Sequence, residues 1–97
     1  MKWFRKAADQ GDELAQFHLG ICYANGTGIL KDEIESYAYF SIAGITLEEA
    51  RSNQAILEKK LLPEARLRGQ LRAKELQKEI EAKIAAKKAD DAKKLGR

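Results

Sequence analysis

Laid on itself with a shift of 36 residues, the chain places Trp3, Phe4, Ala7 and Ala8 on Tyr39, Phe40, Ala43 and Gly44, aromatic on aromatic and small on small. A period of this length marks stacked supersecondary units, each too small to bury its own apolar face and completed by its neighbour. The match decays after about residue 46, where Leu19, Gly20 and Tyr23 fall on Ala55, Ile56 and Lys59. The chain therefore reads as one full unit, a leading half unit and a tail of different character.

The units are helical. Trp3, Phe4, Ala7 and Ala8 have helical spacing over residues 2–10, and Gly11 supplies a left-handed stop. Asp12 then caps a helix of about 12–24, with Leu14, Phe17 and Ile21 on one stripe and Ala15, Leu19, Cys22 and Tyr23 on another. A helix apolar on two faces lies between neighbours. Gly20 inside it costs about 1 kcal/mol relative to alanine, which points to close approach of another helix there. Asn25-Gly26-Thr27-Gly28 ends the helix.

Asp32 and Glu35 have the form of a capping box for a helix of about 33–44, rich in Tyr37, Ala38, Tyr39, Phe40, Ile42 and Ala43. Thr46 and Glu49 repeat the pattern for a helix of about 47–60, where Leu47, Ala50, Leu57 and the following Leu61 are the sparse apolar positions. Pro63 suits the first turn of a further helix and predicts a bend at 61–63. From Glu64 to about Lys88 only Gly69 interrupts a long helix with a narrow aliphatic line, Leu67, Leu71, Leu76, Ile80 and Ile84.

Charge divides the chain as the repeat does. Residues 1–60 carry 7 Lys/Arg against 9 Asp/Glu, and residues 61–97 carry 11 against 6. The basic tail could meet nucleic acid or an anionic membrane by electrostatics alone. Interspersed acids, with Glu64–Arg68 and Glu79–Lys83 at i, i+4, and the absence of aromatics favour a solvated or coiled-coil-like helix that could drive self-association. All seven aromatics lie in the first 40 residues, so the packed core is expected there. Length suits one domain. No apolar run is long enough for a membrane span, the first residues lack the core of a signal peptide, and Cys22 is alone; the expectation is a soluble, cytoplasmic chain.

No chemistry is called for. His18 lies one turn before Cys22, but two ligands do not close a zinc site, and no CxxC or HExxH is present. Cys22 as a nucleophile would have only His18 as base, with nothing to orient it. The Gly26-Thr27-Gly28 loop follows a helix rather than a strand and lacks the lysine-serine of a phosphate loop. Glu33, Glu35, Glu48 and Glu49 sit at helix starts, where the dipole favours them. The expectation is no catalytic, cofactor-binding or metal site, and no enzyme.

Residues Ala7 to Gly44 closely resemble the Sel-one-like repeat, a relative of the tetratricopeptide hairpin. The likeness rests on Ala7-Ala8, Gly11-Asp12, Ala15, Leu19-Gly20, Tyr23, Gly26, Gly28, Asp32, Ser36, Tyr39 and Ala43-Gly44. Ser36 and Gly44 stand where the family has alanine, and residues 47–97 lack the signature. The resemblance implies an all-α fold, a right-handed α-solenoid of antiparallel helix hairpins with a long C-terminal helix. It divides the chain into a repeat region, 1–62, and a capping or coiled-coil-like basic helix, 63–97. Within the first come a half repeat, 2–11, a full repeat, 12–46, and a degenerate helix, 47–60.

The function it implies is an adaptor or scaffold that binds other proteins or peptides, without cofactors. Leu14, Phe17, Ile21 and Asn25 are then nearest the concave groove, while Ala15, Leu19, Gly20, Tyr23, Gly26, Gly28, Asp32, Tyr39 and Ala43 hold the hairpin. The competing reading packs Leu14, Phe17 and Ile21 against the truncated leading helix or another subunit. Stacked repeats generally need about three units, so the chain is expected to be part of a longer array or to complete itself as a homo-oligomer.

Overall fold

The path of the chain follows from how each helix begins and ends. The computed structural model describes residues 2–95, the side chain of Leu95 excepted; Met1 and positions 96 and 97, the outer ends of the two expected regions, lie outside the described residues. Among the described residues there are five helices, α1 Lys2–Asp9, α2 Glu13–Asn25, α3 Glu33–Ala43, α4 Glu48–Lys60 and α5 Pro63–Leu95, and no strand. No described helix is long and apolar enough to cross a membrane.

Asp12 caps α2 as expected, its Oδ1 accepting the Ala15 N–H at 3.1 Å. Gly26 closes the same helix in the left-handed region, φ 72°, and its N–H reaches the Cys22 carbonyl at 2.7 Å. Asp32 caps α3 by accepting the N–H groups of Ile34 and Glu35. The return half of that capping box is not made. Glu35 turns instead to Arg72 of α5, with Nε to Oε1 at 2.6 Å and Nη2 to Oε2 at 3.0 Å.

The cap expected from Thr46 and Glu49 is absent, because the α3–α4 link is wound as backbone turns. Thr46 and Leu47 both donate their N–H to the Ala43 carbonyl, and Leu47 takes the extended N-cap position with no side-chain bond. Its side chain packs on the core, so an apolar contact sets the register here.

α3 is the centre of the packing, shared between two clusters. Ala38, Tyr39 and Ile42 join Ala8, Ala15, Leu19 and Tyr23 of α1 and α2, together with Leu76 and Ile80 of α5. On its other side Tyr37, Phe40 and Ala43 join Ala50 and Leu57 of α4. The aromatics do concentrate the core in the first 40 residues, but aliphatic residues far down the chain close it.

α5 departs from the expected arm in two respects. It continues to Leu95 instead of ending near Lys88, and its 33 residues, about 50 Å at 1.5 Å per residue, account for a molecule 53 Å long. Its aliphatic line also divides: Leu67 and Leu71 are exposed, whereas Leu76 and Ile80 are buried and Ile84 packs beside Gly11. Docking redirects the ions too. Lys83 pairs with Asp9 of α1 at 3.0 Å and Glu79 with Arg72 at 3.1 Å, in place of Glu79 with Lys83. Nor is Glu64–Arg68 formed among the described residues; Arg66 instead approaches Glu58 of α4 at 3.9 Å.

Candidate protein-binding groove

The α2–α3 hairpin closes through small residues. A Cβ on Gly20 would lie 2.6 Å from Cδ1 and Cε1 of Phe40, and buried Ser36 donates its hydroxyl to the Gly20 carbonyl at 2.6 Å. Beside that contact the rings of Tyr23 and Tyr39 stack at 5.8 Å and 11°. The Tyr23 hydroxyl accepts a 2.8 Å bond from Arg5 Nη2 of α1, and that bond raises the Arg5 pKa. Buried Gln16 donates to the Ala8 carbonyl at 3.1 Å, a second bond to that acceptor beside the Gly11 N–H at the end of α1. Among signature residues, Ala15, Leu19, Tyr23, Tyr39 and Ala43 are buried, and Gly26 and Gly28 are left-handed.

This arrangement delivers Phe40 to the floor of a cleft between α2 and α4. Asn53, Ile56, Leu57 and Lys60, at i, i+3, i+4 and i+7 on α4, face Ile21, Ala24 and Asn25 of α2. The cleft holds about 170 Å³. A cavity of about 150 Å³ accommodates a benzene ring, so there is room for one large apolar side chain. Asn25, Asn53 and Lys60 are the polar residues of its lining.

The four residues expected at the groove are therefore separated. Ile21 and Asn25 line it, and Phe17 packs against Phe40 at 6.0 Å between ring centres and supports the floor. Leu14 lies apart, exposed, in a hollow of about 240 Å³ with Trp3, Phe4, Asp12, Ala15 and His18. The cleft toward α4 takes in only the C-terminal part of α2, Ile21 to Asn25. Asn53, Ile56 and Lys60, which line the cleft, were not among the residues expected from the sequence; their helical spacing was visible, but which face of α4 turns to the cleft was not.

His18 lies beside the ring of Phe4 at 5.1 Å, Cys22 is a half-buried free thiol, and no cluster of three metal-ligating groups occurs among the described residues. Hydrogen bonding to Glu35, where Arg72 ties α5 to α3, raises the Arg72 pKa.

Burial raises the Tyr39 hydroxyl from the ordinary 10.0 to about 12. The contribution of this group to stability is thus full below the ordinary value and is lost as pH rises from 10 to about 12, where the unfolded chain gives up a proton that the fold retains. The slope from this one group is about 1.4 kcal/mol per pH unit. Denaturant titrations across that range should show it, and Tyr39→Phe should remove it.

Compared with known families, residues 1–12 and 13–44 match the Sel1 repeat. No curated protein matches the chain.

Proposed function

With residues 1–44 belonging to the Sel1 repeat family, whose hairpins generally mediate protein–protein interaction, we propose that the chain is an adaptor holding a partner segment in the α2–α4 groove. The observation that carries this reading is the cleft itself. Buried Phe40 closes its bottom, and Ile21 and exposed Ile56 supply its accessible apolar surface, with Asn25, Asn53 and Lys60 among its lining. An apolar floor with a few converging polar groups is the usual make-up of a recognition site. In the same reading α4 stands where the first helix of the next repeat would be, and α5 closes the array by lying across α3 and α1.

The test uses peptides selected from a displayed random library against the whole chain. Ile56 is 58% exposed, so Ile56→Glu leaves the core intact. Burying an isoleucine side chain is worth about 1.5–3 kcal/mol, and the substitution should weaken the selected peptides by about tenfold or more. Peptides that bind Ile56→Glu undiminished would place the binding surface elsewhere.

A further inference from the structure

Docking of α5 uses only one of its sides. Gly69, Leu76, Ile80 and Ile84 turn to the body of the molecule, buried or packed against it. On the opposite side Leu67, Leu71, Glu75, Lys78, Ala82 and Ala85 are all exposed, the two leucines at 57% and 52%. From Leu71 onward these positions alternate spacings of four and three, the heptad seam of a coiled coil. Lys74 and Glu81 flank the seam along one edge. Neither they nor Glu75 and Lys78 form an ion pair among the described residues.

The seam has a direction: leucines come first, alanines last, and opposite charges lie between. A parallel pair of such helices would set Glu75 on Glu75 and Lys78 on Lys78. An antiparallel pair, related by a two-fold axis at the level of residues 76–77, sets Glu75 of each copy on Lys78 of the other. The same register lays Leu71 on Ala82 and Leu67 on Ala86, large on small, and brings Lys74 to Glu81. Sliding by one heptad destroys the match. In one direction Lys74 meets Lys88 and Glu81 meets itself; in the other Lys78 meets Arg68 and Lys74 meets itself.

We propose that the outer face of α5 is the interface of a homodimer, in which the α5 helices of two copies pack antiparallel in this register. A face that carries its own complement in size and in charge is what a two-fold contact requires. Each body lies on the inner side of its own α5, so the two bodies stand on opposite sides of the helix pair. None of the residues lining the α2–α4 cleft takes part, and the dimer presents two such clefts.

Sedimentation equilibrium of the whole chain should show monomer and dimer in exchange, with the dimer weakened by added salt because its ion pairs are exposed. Lys74→Glu and Glu81→Lys each place like charges together at two points of the dimer, and each should weaken it by about tenfold. Both positions are exposed, so the circular dichroism of the variants should match that of the parent. Mixed in equal amounts, the two variants restore both contacts, and a heterodimer about as tight as the parent dimer should form. A chain that stays monomeric at every concentration overturns the proposal. So does a dimer that both charge reversals leave unchanged, which would put the interface elsewhere. A mixture that associates no better than its separate components would exclude the antiparallel register.

Discussion

Gly20→Val should destabilise the chain by about 2–4 kcal/mol, although valine is the better helix former by a few tenths of a kcal/mol. The position leaves no room. Even a Cβ would lie 2.6 Å from two ring carbons of Phe40, and that ring is held by Phe17 on one side and the α4 cluster on the other. Separating the helices also stretches the Ser36 to Gly20 hydrogen bond, worth about 1 kcal/mol. In a domain whose total stability is of the order of 5–15 kcal/mol, denaturant unfolding will register such a loss clearly. The cause can be isolated, because the clash is with a side chain. Phe40→Leu should recover part of the loss caused by Gly20→Ala, giving a favourable coupling in a double-mutant cycle. Strictly additive losses would mean that Gly20 is not there to admit the ring.

Gly20 also shows what was legible in the sequence. An unexplained glycine between Leu19 and Tyr23, on a helix apolar on two faces, already implied a close neighbour; Phe40 supplied its identity. Caps at Asp12 and Asp32 were legible for the same reason, since they act within four residues. Gly69 was not. It looked like an interruption of α5, yet a Cβ there would lie 2.6 Å from Tyr37 Cδ1, so it is the point where α5 passes over α3. Tyr37 and Gly69 are 32 positions apart, and no local pattern joins them. Likewise Glu35 read as the second half of a capping box. It pairs instead with Arg72, a residue whose position was fixed only once α5 had docked.

The sequence left residues 63–97 as either a capping or a coiled-coil-like helix, and the docking of α5 through Leu76 and Ile80 carries the second large effect. Leu76→Ala and Ile80→Ala should each cost about 2–5 kcal/mol if these residues complete the core, and near zero to 0.5 if α5 were a solvated arm. The two side chains touch the same cluster, so the double variant should lose somewhat less than the sum. Its consequences should also be uneven along the chain. Ala8, Tyr39 and Ile42 share a cluster with Leu76 and Ile80, whereas Phe40 and Leu57 belong to the other. Hydrogen exchange should therefore quicken first in the middle of α5 and in α1, which also loses the Asp9–Lys83 pair. The α3–α4 contact beneath the groove should exchange last, since its apolar partners are untouched. Uniform acceleration across all five helices would mean instead that the two clusters melt as one unit, and that α5 is as much a part of the repeat core as α2.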